Sequence, residues 1–256
     1  MSDLASVPSR SRRALASATS PRASRPVGRI LFIASGVIPF LSLCGAPPDT
    51  MLLIYSVFVI AWVVRGRAQA PGSGPRQRVS LRYLLSMVLV GFLTEIFAWT
   101  SNYLGRAEEP ALLHPQLLYD LVLSPGIYAA WAVGWILLTK RWRFSVAETF
   151  LLQGVYGVFV EQQGAILLQG LRALPLGVVL WLYVFVVYGS AAGIAYLPYE
   201  NDLHTSGSKA SNWKYPAALA VQFLATGVVA IGWTLLLAAL GVSIPDPKPI
   251  WQAPLW

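Results

Sequence analysis

The sequence predicts an all-α, multi-pass membrane protein with seven transmembrane helices, and its composition and its apolar segments are the observations that predict it. Of the 256 residues, 56% are hydrophobic and 12% are charged, which is about half the charged fraction of a soluble domain. The mean hydropathy is +0.59. A chain this apolar cannot cover a water-facing surface, which excludes a soluble enzyme and a soluble nucleic-acid-binding protein.

Seven apolar segments alternate with polar linkers that contain Pro, Gly and charged residues. A helix needs about 20 apolar residues to cross a bilayer. The first two segments are shorter than that, and the fifth is long enough to tilt or to project beyond the lipid. The segments cover residues 29–45, 50–65, 82–104, 115–139, 145–172, 174–198 and 215–242.

The two ends of the chain differ in composition from this apolar region. Residues 1–27 are rich in Ser, Arg, Ala and Pro and poor in acidic residues, so we expect a disordered basic tail. The pair Arg12 and Arg13 leaves a targeting segment as an alternative. Residues 28–243 would form the transmembrane domain, and residues 244–256 a Pro- and Trp-rich tail on the outer side.

The distribution of basic residues predicts the orientation. With the N-terminus in the cytoplasm, 16 of the 19 lysine and arginine residues fall in cytoplasmic segments. Cytoplasmic loops carry such an excess, so we expect a cytoplasmic N-terminus and an external C-terminus, in a bacterial inner membrane. The net charge of +8 then reflects orientation and not affinity for nucleic acid.

Three acidic residues lie inside predicted helices, where a charged side chain costs about 2.5 kcal/mol or more at the bilayer centre. Glu95 lies 13 residues beyond Arg82, which places it about 20 Å along the third helix. Asp120 follows Pro115 in the fourth segment, and Glu161 lies in the fifth. Acidic residues persist at such depth where they face protein, a partner or water.

These acids share helix faces with polar and aromatic side chains. The step Ser124-Pro125-Gly126 would also kink the fourth helix, because Pro125 frees a carbonyl group, and a broken helix beside a carboxylate is a common design for a ligand site. We therefore predict one polar pocket that opens on the outer side. Its catalytic residues would be Glu95, Asp120 and Glu161, and its substrate-binding residues Trp99, Asn102, Ser124, Tyr128 and Gln162, with His114 at its mouth.

A structural interpretation of the same residues stays open. Polar side chains also hold membrane helices together by hydrogen bonds, and Asp120 is near enough to the end of its helix to reach the interface. We predict a structural role for Glu148, because Ser145 and Glu148 form the S-x-x-E pattern of a capping box at a helix start.

Three functions fit this pattern. The first is acid–base chemistry on a lipid or isoprenoid substrate, the second a proton- or cation-coupled small-molecule transporter, and the third a structural or accessory subunit of a larger membrane complex. The expected partners are the bilayer, a lipid or isoprenoid ligand and other membrane proteins, with no nucleic acid. The sequence specifies no cofactor and predicts no metal site, since one Cys and two His are too few for a dithiol centre or a His-rich iron site.

Overall fold

The computed structural model describes residues 36–65, 76–204 and 211–256, and every regular element in these ranges is helical. The predicted tail 1–27 lies outside them. The all-α prediction is confirmed. Helical residues 36–43 come first, followed by α1 (Leu53–Arg65), α2 (Arg76–Leu104), α3 (Leu117–Thr139), α4 (Val146–Val160), α5 (Ala165–Arg172), α6 (Gly177–Tyr196) and α7 (Lys214–Ala239), with 3-10 turns at Glu161–Gly164 and Leu197–Tyr199.

Four of these helices are long and apolar enough to cross a membrane, which indicates a membrane protein. Helix α1 has 13 residues and rises only about 20 Å, less than the hydrocarbon core of about 30 Å. The count of seven spans and the orientation of the termini stay predictions. The four candidate spans are Arg78–Leu104, Leu117–Thr139, Gly177–Tyr199 and Lys214–Ala239.

The predicted fifth helix, 145–172, is broken in the middle. Helix α4 ends at Val160, and the next residues leave the helical path. Gln162 (φ 47°, ψ 43°), Gln163 (φ 57°, ψ 32°) and Gly164 (φ 88°, ψ 0°) are all left-handed. This conformation costs roughly 1–2 kcal/mol for each residue other than glycine, and both glutamines adopt it with exposed side chains.

The disturbance that the sequence predicts at Ser124-Pro125-Gly126 does not break the fourth segment, because α3 runs through Pro125 as one helix. Side chains supply donors that the proline cannot. The Ser124 hydroxyl lies 3.5 Å from the carbonyl oxygen of Leu121, and the indole N–H of Trp233 on α7 donates to the carbonyl of Val122 at 2.9 Å. The broken helix is therefore the fifth segment and not the fourth.

Two helix pairs, α4 with α6 and α3 with α7, pack most extensively, and α2 packs on both α3 and α6. Close approach depends on small residues. A Cβ added at Gly154 of α4 would lie 2.7 Å from the carbonyl oxygen of Phe185 on α6, so only glycine fits there. This packing leaves a space between the two pairs, and polar side chains, Glu95 and Glu161 among them, lie around it.

The predicted capping box is confirmed, and it lies at the end of the bundle that the sequence predicts to be cytoplasmic, the inner end in that orientation. The backbone N–H of Glu148 donates to the Ser145 hydroxyl, and the backbone N–H of Ser145 donates to the Glu148 carboxylate at 2.8 Å. The ammonium group of Lys214, at the start of α7, lies 2.6 Å from the same carboxylate. Glu148 is therefore structural and joins α4 to α7.

The C-terminal tail covers the opposite, outer end. The N–H groups of Leu117 and Leu118 would be unpaired at the start of α3, and they donate to the carbonyls of Pro254 and Leu255 at 3.1 Å each. Ile250 is fully buried. The tail is thus tied to the start of α3, while Trp251 and Trp256 remain exposed.

Candidate functional site

A cavity of about 640 Å³ lies between the helix pairs. Its walls come from α2, α3, α4, α6, α7 and the turn after α4, and residues 109–113 of the loop before α3 roof it. The exposed members of the wall all lie at the outer end, which marks the mouth of the cavity; they are Glu109, Ala111, Leu113, Gln162 and Gln163.

Glu95 of α2 lines this cavity together with Tyr128 of α3. The Tyr128 hydroxyl donates to Glu95 Oε1 at 2.8 Å. The Tyr128 ring lies against Gly91, one turn before Glu95 on α2, where an added Cβ would be 2.3 Å from the ring. Glycine at 91 therefore lets the ring cross α2 and place its hydroxyl on the carboxyl group.

Glu161, at the break after α4, has the same kind of partner. The Tyr188 hydroxyl of α6 donates to Glu161 Oε2. The Tyr188 ring lies against Gly157, again four residues before the glutamate, and an added Cβ there would be 2.3 Å from the ring. Both groups line the cavity.

Glu95 and Glu161 thus have the same local arrangement, and we call the two copies of it the Gly–Glu–Tyr units. The first unit is Gly91, Glu95 and Tyr128, and the second is Gly157, Glu161 and Tyr188. In each, one helix supplies Gly-x-x-x-Glu and a neighbouring helix supplies the tyrosine. Both glutamates line the same cavity, so the units belong to one site.

Trp131 of α3 joins the two units. Its ring centroid lies 4.8 Å from that of Tyr128 and 5.1 Å from that of Tyr188, and 6.1 Å from that of Tyr156 on α4. All four rings line the cavity. The indole N–H of Trp131 is buried without a hydrogen-bond partner of normal geometry, although the Tyr156 hydroxyl is nearby. A ligand in the cavity would meet aromatic surface here.

The inner end of the cavity is closed. The Tyr156 hydroxyl donates to Thr226 Oγ1 at 2.7 Å, which joins α4 to α7. About one turn deeper, the indole N–H of Trp135 donates to Gln153 Oε1 at 3.0 Å, and both side chains are fully buried. The described residues thus show a cavity with an outer mouth and a packed floor.

Asp120 lies beside the cavity and does not line it. Its Oδ1 accepts the backbone N–H groups of Leu113 and His114 at 2.9 and 3.1 Å, so Asp120 holds the loop that roofs the cavity. Its Oδ2 is buried without a partner of normal geometry, and its carboxyl is close enough to that of Glu95 for the two to interact. Asp120 therefore supports both the roof and the first Gly–Glu–Tyr unit.

The other predicted site residues divide between the wall and the surrounding structure. Glu95, Tyr128, Glu161 and Gln162 line the cavity, whereas Trp99, Asn102, Ser124 and His114 do not.

Each of the residues outside the wall has a structural bond. The Trp99 indole donates to the carbonyl of Pro115 at 3.1 Å, and the Asn102 amide donates to the carbonyl of Ala98 in its own helix at 2.8 Å. His114 is buried with its Nε2 3.1 Å from the carbonyl oxygen of Pro245 in the tail. His114 thus lies under the tail and not at the mouth.

Tyr188, Tyr156 and Trp131 are among the wall residues that the sequence interpretation did not place in the pocket. A signal for the first was present, because Gly-x-x-x-Glu occurs at Gly91–Glu95 and again at Gly157–Glu161. Among the described residues, no group of three or more His, Cys, Asp and Glu side chains is arranged to hold a metal ion.

Comparison with known proteins gives this chain no relative from which a function could be transferred. No family model matches it, and neither a curated protein nor a solved structure does. Its function is therefore inferred from the geometry of the cavity.

Proposed function

We propose that this protein lies in a bacterial inner membrane and catalyses proton transfer to and from an unsaturated lipid or isoprenoid held in the cavity. The observation that carries the proposal is the pair of Gly–Glu–Tyr units facing one shared cavity. Carboxyl groups placed in this way act as general acids and bases.

The roles follow from the surroundings of each glutamate. Glu95 has a second carboxyl, that of Asp120, beside it, and two carboxyl groups at short range share a proton. Asp120 accepts two backbone N–H bonds, which favour its ionised form, so the proton resides on Glu95. Glu161 has a tyrosine hydroxyl as donor and lies next to the exposed Gln162 at the mouth, where water is available.

In the proposed reaction Glu95 gives its proton to one carbon of a C=C bond. The π electrons form the new C–H bond and leave a cation on the other carbon. Water then adds to that carbon and gives a proton to Glu161, which yields an alcohol. Without water, Glu161 takes a proton from an adjacent carbon, and the electrons of that C–H bond form a new C=C bond, which yields an isomer. A ring forms where the π electrons of a second C=C bond attack the cation before this proton is lost. One proton is donated and one is accepted, so the reaction is balanced in protons and in charge.

Deuterium transfer tests this proposal on a whole mixture of lipids, so that no single substrate has to be chosen. The protein is reconstituted in vesicles with a bacterial lipid extract in D₂O, and mass spectrometry follows lipids that gain deuterium on carbon or gain the mass of water. Glu95→Gln and Glu161→Gln should each lower the rate by about 10²–10⁴-fold. Glu148→Gln is the matched control, because Gln also completes a capping box.

Wild-type transfer that is lost in both cavity variants and kept in Glu148→Gln would support the proposal. Absence of deuterated lipid with the wild-type protein, or equal rates in all four proteins, would overturn it.

The left-handed break at residues 162–164 favours a second candidate, a proton- or cation-coupled transporter. Helices interrupted beside an acidic residue are typical of transporter binding sites. The packed floor formed by Trp135 and Gln153 argues against a through-path in this conformation. Proton flux into vesicles, read with an internal pH dye, distinguishes the two: flux that needs Glu161 without any deuterated lipid would favour transport.

A further inference from the structure

The charges and the rings of the cavity point to the class of ligand that it binds. Three glutamates, Glu95, Glu109 and Glu161, belong to the wall, and the described wall contains no Lys, Arg or His. The basic residues of the outer end, such as Arg172 and Lys248, are not part of it. An anionic ligand would find no charge partner here, whereas a cationic one would find carboxyl groups at the wall.

The aromatic rings also favour a positively charged ligand. The face of a Trp or Tyr ring attracts a cation, and cages of such rings are used to bind quaternary ammonium groups. Trp131 contacts Tyr128 and Tyr188, the tyrosines of both units. Any group that approaches the two glutamates therefore also approaches these rings.

The remaining wall is apolar and supplies room for a hydrocarbon chain. Ile127, Val160 and Val187 belong to it, and about 640 Å³ is within the range of pockets for small molecules. The cavity thus joins a negative, aromatic part to an apolar part.

We infer that the cavity binds a cationic centre attached to an apolar chain. This inference rests on the proposed function, because both place the ligand between the Gly–Glu–Tyr units. The positive charge has two possible sources, a permanent ammonium group or the transient carbocation of the proposed reaction. The chemistry that recognises the two is the same.

Equilibrium dialysis of the purified protein in one nonionic detergent tests the charge requirement. The probes are geranyltrimethylammonium and geraniol, which share one chain and differ in charge. The ammonium probe should bind at least about 30-fold more tightly, the ratio expected from a desolvated cation–π contact. Glu161→Gln should remove most of this preference, because it removes the carboxylate that faces the ammonium group, and Glu148→Gln should keep it.

A second pair of variants tests the ring. Trp131→Leu should lower the affinity for the ammonium probe about tenfold or more, whereas Trp131→Phe, which keeps an aromatic face, should restore part of the loss; circular dichroism confirms that both variants are helical. Equal affinities for the two probes, or an ammonium preference unchanged in Glu161→Gln, would overturn the inference.

The deuterium assay with the ammonium probe present identifies the source of the charge. Inhibition of deuterium transfer by the bound probe would support a transient carbocation. Preferential binding of the probe in a protein that deuterates no lipid would keep the cation site, assign it to a permanent ammonium ligand, and refute only the proposed function.

Discussion

Replacement of Gly157 by alanine tests the second Gly–Glu–Tyr unit most sharply. The new Cβ would lie 2.3 Å from Cγ and 2.7 Å from Cβ of Tyr188, well inside van der Waals contact. The tyrosine ring must move by about 1 Å or more to restore normal carbon contacts of roughly 3.5 Å. Overpacking of this kind costs typically 1–3 kcal/mol, and the displaced hydroxyl also loses its bond to Glu161, worth about 1.5–3 kcal/mol if the carboxyl is charged.

The chain offers a matched control in Gly227 of α7, where an added Cβ meets no atom within 4 Å. Thermal unfolding in detergent, followed by far-ultraviolet circular dichroism, should show Gly157→Ala clearly destabilised and Gly227→Ala unchanged or slightly more stable, since alanine favours a helix.

A double-mutant cycle identifies the cause of the destabilisation. Gly157→Ala should cost little in a Tyr188→Ala background, because the clashing ring is gone, so the two changes should be strongly non-additive. Equal stability of Gly157→Ala and Gly227→Ala, or additive effects with Tyr188→Ala, would refute the assigned contact.

Three further predictions concern the ends of the bundle. Glu148→Ala should lower the unfolding free energy by about 0.5–2 kcal/mol through loss of the capping box, and Glu148→Gln by less, as thermal unfolding would show; equal losses would contradict the capping role. Burial lowers the pKa of His204 below 6.5, which means that the folded protein favours the neutral ring. The stabilisation that the neutral ring gives is fully present above about pH 6.5 and is lost as the pH falls through the lowered pKa of His204. His204→Gln should therefore flatten the dependence of the melting temperature on pH between about pH 7 and about pH 5, and an unchanged slope would contradict it. Gln116→Ala removes the side chain that donates to the Lys248 carbonyl at 2.9 Å, so limited proteolysis should cleave the tail faster, and an unchanged rate would show that this bond does not hold it.

Local features of this chain were predictable because their causes are local. The capping box needs only Ser145 and Glu148 three residues apart, and composition together with the lengths of the apolar segments predicts the all-α class. The break after α4 was not predictable in the same way. Gln162 and Gln163 are ordinary helix-forming residues, so nothing in their local sequence indicates a left-handed conformation.

Long-range contacts explain the remaining differences at the site. Sequence spacing identified Glu95 and Glu161, because an acidic residue is costly inside a membrane. Nothing in the sequence around Tyr188 distinguishes it from other aromatic residues of α6, and its role is evident only from its packing against Gly157. His114 lies under the tail because Pro245, 131 residues later, accepts its hydrogen bond. Pairings of this kind depend on the fold and not on local pattern.

A crystal structure of the protein with geranyltrimethylammonium bound would test the shared cavity most directly. We expect the ammonium group between the carboxyl groups of Glu95 and Glu161 and against the Trp131 ring, with each glutamate still accepting its tyrosine hydroxyl. Density for the probe on the lipid-facing surface, or two glutamates that face separate helix interfaces with no shared cavity, would contradict this expectation.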